Sequence, residues 1–342
     1  MKTREKIFVT GATGMVGAHI LLRLLDADYT VVASYRDVGG IDKAKKIFSF
    51  YCKAPDIFIN KIQWVKVDIE DRQQLAELLF DVKCVINCAA KISFNKREAS
   101  QTISQNIAIT SSVVDAAIMA HVPRFIHISS IAALGSAVNG EQIDESHFFS
   151  SVKNKSAYSI SKFESEMEVW RGVSQGLNAV ILNPSVILGP GDWENGSPSL
   201  IKKVAKGMPF FTNTVNGFVD VNDVAKISTK LIESDISGER FVLSSQNISY
   251  KSLFTQIANN LQTQPPKYEF KPWAVKPLII VGKLLSLVGI ANNLNRTTFN
   301  TIFNSSSYDG SLIIDRLKTH YTSFGKTLYR ITEAYSNDNR LK

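Results

Sequence analysis

Lys6-Ile7-Phe8-Val9-Thr10 runs directly into Gly11-Ala12-Thr13-Gly14-Met15-Val16-Gly17, and this junction decides the fold. The first five residues, apolar and β-branched at the centre, predict a buried strand. The glycine-spaced bend and the apolar positions after it (Ala18, Ile20, Leu21, Leu22, Leu24, Leu25) predict a tight turn and a helix. Gly11 permits the turn, Gly14 lets backbone approach a ligand with no Cβ between them, and Gly17 lets the helix lie close on the sheet. Strand, turn and helix N-terminus make the first half of a βαβ unit that holds a dinucleotide pyrophosphate on free backbone N–H groups. Gly11, Thr13, Gly14, Met15, Val16 and Gly17 are the expected contacts. An ordinary glycine-rich turn has the same spacing, so the rest of the chain must discriminate.

A second strand is expected over Tyr29–Tyr35, ending at Arg36. An Arg at that point suits the 2′-phosphate of NADP, whereas a carboxylate there would bond the ribose hydroxyl of NAD. Arg36, with Lys43 nearby, favours NADP; Asp37 keeps NAD open if the strand runs longer. A third strand, Gln63–Val67, closes with Asp68-Ile69, and Asp68 suits either the adenine amino group or the cap of the next helix. The fourth strand reads as Cys84–Ala90, a continuous apolar run whose small final residues, Ala89 and Ala90, leave room for a ligand beside Lys91. A helix around 106–120 leads to a fifth strand, Arg124–Ser130. His121 and His127 stand apart from other metal-binding types and read as structural; no metal site is expected. Strands alternating with helices imply a doubly wound parallel sheet, α/β and Rossmann-type, whose ligands lie at the carboxyl ends of the strands. Gly11, Arg36, Asp68, Ala89 and Ser130 would then converge on one crevice.

Tyr158 and Lys162, four apart at the start of an expected helix, project from one face. An ammonium beside a phenol stabilises the phenolate, making tyrosine a usable acid or base near neutral pH. Ser130 can donate to an oxygen that gains charge as hydride reaches its carbon. Lys162 can also hold the nicotinamide ribose.

With these residues in place, the chain resembles the extended short-chain dehydrogenases/reductases, the NAD-dependent epimerase/dehydratase family. The marks are Gly11-x-x-Gly14-x-x-Gly17, Asp68-Ile69, Asn106, Ser129–Gly135, Tyr158-x-x-x-Lys162, Asn183–Gly191 and Phe218–Ala225. The resemblance implies Ser130, Tyr158 and Lys162 as a catalytic triad, Asn106 as a fourth member, and Pro184, Ser185 and Val186 against the nicotinamide. Ser129 is the neighbour not chosen. Val31–Asp37 looks most like the NADP-binding branch that contains dihydroflavonol reductases. Many members carry Arg where this chain has Asn183, which weakens transfer of sugar-nucleotide contacts.

The 342 residues suffice for a full α/β domain and a smaller one, expected at 1–188 with a returning segment near 216–245, and at 189–215 with 246–342. Arg240–Ser244 reads as a strand returning to the sheet. Cys52, Cys84 and Cys88 suggest no disulfide framework, and no secretory segment precedes the first strand, so a cytoplasmic protein is expected. The net charge of +8 is scattered along the chain, which argues against a nucleic-acid surface. An apolar run, 277–290, spans roughly 21 Å as a helix against a hydrocarbon core of about 30 Å. It reads as a core or homodimer helix, a substrate lid, or a peripheral membrane contact. The expected activity is NADP-dependent hydride transfer to or from a carbonyl or secondary alcohol of a small apolar substrate. Trp193, Phe210, Phe211, Phe218 and Trp273 support the apolar character. The alternatives are a nucleotide-sugar epimerase or dehydratase with bound NAD, and a non-catalytic dinucleotide sensor.

Overall fold

The computed structural model describes residues 5–91, 98–137, 140–149, 151, 155–271, 273 and 303–340. In chain order they form β1 (Lys6–Thr10), α1 (Met15–Asp26), β2 (Thr30–Tyr35), α2 (Gly39–Phe48), α3 (Pro55–Ile59), β3 (Gln63–Lys66), α4 (Arg72–Leu79), β4 (Cys84–Asn87), α5 (Ala99–Met119), β5 (Arg124–Ile128) and α6 (Ala157–Ser174). There follow β6 (Ala179–Pro184), β7 (Val186–Leu188), α7 (Pro198–Ala205), β8 (Phe210–Phe211), β9 (Val215–Asp220), α8 (Val221–Ile232), β10 (Glu239–Leu243), β11 (Gln246–Ser249), α9 (Tyr250–Leu261), β12 (Tyr268–Glu269), α10 (Ser311–Arg316) and α11 (Phe324–Arg340). The apolar run 277–290, with its lid, dimer-helix and membrane readings, lies outside the described residues.

Seven strands form one parallel sheet in the order β10-β6-β5-β4-β1-β2-β3. Side chains alternate across it: Ile7 and Val9 join the core under α1, α2 and α8, and Phe8 joins the opposite core with α4, α5 and α6. Both faces being covered, the central strands carry apolar side chains in both directions. The expected return of the chain to this sheet is β10, paired in parallel with β6.

Two strands stop two or three residues earlier than their apolar runs suggest, and β3 stops one residue earlier, at Lys66. β4 ends at Asn87, not Ala90, because the Ala89 N–H turns to the Thr10 hydroxyl (3.2 Å) instead of extending a ladder. β5 ends at Ile128; the Ser129 N–H still reaches the Leu182 carbonyl (2.8 Å), after which the chain turns into a short 3₁₀ helix, Ile131–Ala133. The expected helix around 106–120 begins earlier, at Ala99.

Beyond β6 the chain leaves the main sheet. β7 joins a three-stranded sheet in the order β11-β9-β7, where it runs parallel to β9. A separate apolar core gathers Leu188, Trp193, Ile201, Val204, Phe211, Phe218, Leu253, Ile257, Leu328 and Ile331. The start of α8 is fixed by Asp220, which accepts from the Asn222 N–H (2.8 Å), the Thr327 hydroxyl (2.6 Å) and the Arg330 guanidinium (2.6 Å). This ties α11 to the end of β9. No helix among the described residues is long and apolar enough to cross a membrane.

Candidate active site

Because the seven strands are parallel, their carboxyl ends share one edge, and Gly11, Arg36, Asp68, Ala89 and Ser130 each follow a strand end by one or two residues. Gly11 has φ +61°, and a Cβ there would lie 2.6 Å from the Cys88 carbonyl carbon. A Cβ on Gly17 would lie 2.3 Å from the Gly11 oxygen, so α1 can sit this close only without one. Gly14 caps α1 with no side-chain hydrogen bond, and the first turn holds no acidic residue. The N–H groups of Met15, Val16 and Gly17 have no carbonyl four residues back within the helix. This cradle, closed to a Cβ at Gly11 and Gly17 and lined by amides, fits a pyrophosphate.

The loop after β2 lies against the cradle, since a Cβ on Gly40 would come within 2.9 Å of the Thr13 methyl. Arg36 is exposed there and, among the described residues, has no hydrogen-bonding or ionic partner. Asp37 is already engaged: its carboxylate accepts from the Gly40 N–H at 3.1 Å and closes the turn into α2. Asp68 is exposed and accepts from the Glu70 N–H at 3.0 Å. The helix-capping alternative for Asp68 falls to Asp71, which accepts from the Gln74 N–H at the start of α4. Ile69 packs against the core under α4 and α5.

The Lys91 amine donates to Gln105 at 3.1 Å. Asn106 holds that segment by its backbone. Its carbonyl oxygen accepts from the Lys91 N–H (2.7 Å), and its amide nitrogen donates to the Lys91 carbonyl (2.9 Å) and the Ser161 hydroxyl (3.1 Å). These bonds make Asn106 a brace between the β4 exit and α6.

Ser156 caps α6 through the Ser159 N–H, which places Tyr158 and Lys162 on successive turns. Lys162 is buried, and its Nζ donates to the Ile128 carbonyl at 3.3 Å, bringing the ammonium to the end of β5. Ser130 stands two residues further on. Its Oγ accepts from the Ala132 N–H at 3.1 Å, which leaves its own O–H to donate outward. Ser129 points the other way, into Glu166. Pro184, Ser185 and Val186 span the passage from β6 to β7, with Ser185 N–H on the Leu243 carbonyl at 2.9 Å. The Ser185 hydroxyl is buried with no hydrogen-bond partner among the described residues.

Beneath the site, Thr10 donates to Asn87 (2.6 Å), whose amide nitrogen donates to His127 Nδ1 (3.2 Å). Burial, and then the Lys162 charge, lowers the His127 pKa to about 3. It therefore stays neutral and plays the structural part its isolation suggests. Burial also pushes the Cys88 thiol up to about 12, against the pull of Lys162. Sequence reading passed over Glu166 and Arg240, which approach within 3.6 Å beneath Ser130. The spacing of Glu166, one turn after Lys162, was a usable signal; Arg240 gave none, because its place depends on strand register.

The profile of the NAD dependent epimerase/dehydratase family matches residues 7–244. The chain belongs to that family. Its relatives include a Synechocystis sp. protein whose name groups it with dihydroflavonol 4-reductases, 25% identical over 98% of this chain and 96% of that one. Sterol demethylase protein B of Methylococcus capsulatus is 27% identical over 70% of this chain and 69% of its own. The crystal structure of gox2253 superposes with a TM-score of 0.81 at 25% identity, covering 99% of this chain and 100% of that one. The family is one of NAD-dependent enzymes, and the Rossmann-type sheet with its helical C-terminal part is the family fold.

Correcting the substrate argument, Trp193, Phe211 and Phe218 are committed to the second core. Trp193 packs edge-on against Phe50 and Tyr335 and donates to Asp338 at 3.0 Å. Only Phe210 and Trp273 of the five aromatic residues are exposed, because the smaller part of the molecule needs its large rings to build a core.

Proposed function

We propose that this chain is an NADPH-dependent reductase of a small, largely apolar carbonyl compound. NADPH, held on the glycine cradle, would supply the hydride. Ser130 donates its free O–H to the carbonyl oxygen and stabilises the charge that develops there. Tyr158 gives that oxygen its proton. Lys162 stabilises the phenolate left behind and holds the nicotinamide ribose, and Asn106 braces the β4 exit from outside the reacting atoms. The observation that carries the reading is the Lys162–Ile128 contact, which seats the Tyr158–Lys162 helix beside Ser130 on the edge that bears the cradle.

Arg36, without an acceptor of its own among the described residues, supports NADP over NAD, as does the engagement of Asp37 with Gly40. Relatives named for dihydroflavonol reduction and sterol demethylation support an apolar substrate. The separate core around Trp193 and Phe218 supports a division into a cofactor domain, 1–188 with 216–245, and a substrate domain, 189–215 with 246–342. The decisive test is a screen in which NADPH consumption is followed with ketones and aldehydes of increasing apolar size. Activity is expected to rise along that series, while UDP- and GDP-sugars neither turn over nor raise the melting temperature. The family's epimerase and dehydratase members support a second reading. It predicts the reverse, with turnover of a nucleotide sugar by cofactor that copurifies.

A further inference from the structure

We propose that Glu166 is a positioning residue of this centre: its carboxylate fixes the chain around Ser130 and draws its counter-charge from Arg240 on a neighbouring strand. The proposal rests on the reductase reading for its kinetic consequences and on geometry for the rest. Glu166 is wholly buried. One carboxylate oxygen accepts from the Ser129 hydroxyl and from the Asn183 amide nitrogen, each at 2.5 Å. The same Asn183 nitrogen donates to the Ser130 carbonyl at 2.9 Å. Lys162, one turn earlier on α6, holds the Ile128 carbonyl. Ile128, Ser129 and Ser130 are thus gripped in succession from a single helix, two of them through Glu166.

Among the described residues the other carboxylate oxygen has no hydrogen bond, but Arg240 Nη1 stands 3.6 Å from it. Arg240 cannot swing closer. It donates to the Glu145 carbonyl (3.0 and 2.7 Å) and the His147 carbonyl (3.1 Å), and its guanidinium lies 4.7 Å from the Phe148 ring centre. It therefore serves Glu166 as a fixed charge. Arg240 stands opposite Ile181, and Val242 opposite Asn183, so Arg240 and Asn183 share one face of the β10–β6 pair. Burial raises the Glu166 pKa, and Ser129, Asn183, Arg240 and Lys162 oppose that rise. A packing role alone would be served by an apolar side chain of equal volume. A carboxylate holding two polar partners supplies fixed directions instead.

Glu166→Gln keeps the size and one accepting oxygen but removes the charge. Its kcat with NADPH and the best carbonyl substrate is expected to fall about 10- to 100-fold, with KM and NADPH affinity within about twofold of the parent. Arg240→Met should lose a similar factor. Arg240→Lys, which keeps a cation at the same position on β10, should retain about tenfold more kcat than Arg240→Met. Amide exchange read in the same proteins does not depend on turnover. In Glu166→Gln the Ala132 and Ala133 N–H groups, bonded to Ser130, should exchange about tenfold faster while the central strands are unchanged. If the parent reduces no carbonyl compound, the reductase reading fails and exchange alone judges the positioning role. Unchanged exchange at Ala132 and Ala133, a uniform rise across the sheet, or a folded Glu166→Gln with parental kcat would each overturn the proposal. If Glu166→Gln does not fold, Arg240→Met and Arg240→Lys decide it, equal kcat in the two counting against the role.

Discussion

Tyr158 and Arg36 act on different quantities, and substitution should separate them. Tyr158→Phe keeps the ring but removes the transferable proton, so turnover should fall by about 10² to 10⁴ while NADPH still binds. Single-turnover kinetics beside a fluorescence titration of the cofactor would check both halves, and undiminished turnover would exclude Tyr158 as the acid. Arg36→Ala should weaken NADPH by about 10- to 150-fold, the worth of a charge-assisted contact of about 1.5 to 3 kcal/mol, and leave NADH nearly unchanged. Equal losses for the two cofactors, measured by the same titration, would mean that Arg36 does not meet the 2′-phosphate. From the sequence, Arg36 was favoured and Asp37 stayed open. In space the Asp37 carboxylate accepts from the Gly40 N–H through one oxygen, while Arg36 has no partner among the described residues.

Among the elements, α8 depends most on one side chain. Asp220 caps it and also neutralises Arg330 of α11 while fully buried itself. Asp220→Ala should cost about 2 to 4 kcal/mol, combining a lost cap with a cation left without its partner. Asp220→Asn, which can still cap, should cost less, and urea unfolding would rank the two. The strands of the main sheet were legible because apolar residues run through them, and α1 because apolar positions at helical spacing follow the glycine turn. Strand ends were less legible. Whether Ala89 continues a ladder depends on Thr10, which lies far away in sequence. The same holds for the site: Ser130, Tyr158 and Lys162 announce themselves by local pattern, whereas Arg240 comes beneath Ser130 only through the pairing of β10 with β6. Asp68 and Asp71 show the limit of capping signals, since both precede α4 and only the second reaches its N–H groups. The large aromatic residues misled for a related reason, because sequence does not distinguish a ring that lines a cleft from one that fills a core.

For the molecule as a whole, two buried histidines tie stability to pH. Burial lowers the pKa of His19 to about 4 and that of His127 to about 3, each from an ordinary value of 6.5. The unfolded chain therefore binds protons at these positions before the folded chain does. Their contribution is complete above about pH 6.5 and is lost as the pH falls toward 4 and then 3, at about 1.4 kcal/mol per pH unit for each histidine. Melting temperatures should drop across that window, and His127→Leu should show a shallower decline than the parent. A variant with the parent's slope would show that His127 does not titrate on unfolding.

The return of the chain as β10 also bears on biosynthesis. β6 is buried along its whole length, and one of its edges is covered only when residues 239–243 arrive. A ribosome that has released the first 188 residues has therefore produced a sheet with a bare, apolar, hydrogen-bonding flank. Such a nascent form invites pairing with a neighbouring polypeptide, and domain-by-domain maturation from the N-terminus is closed to it. A chain truncated after Leu188 should accordingly aggregate on expression, whereas one that extends through Ser249 should recover solubility, as fractionation of the lysate would show.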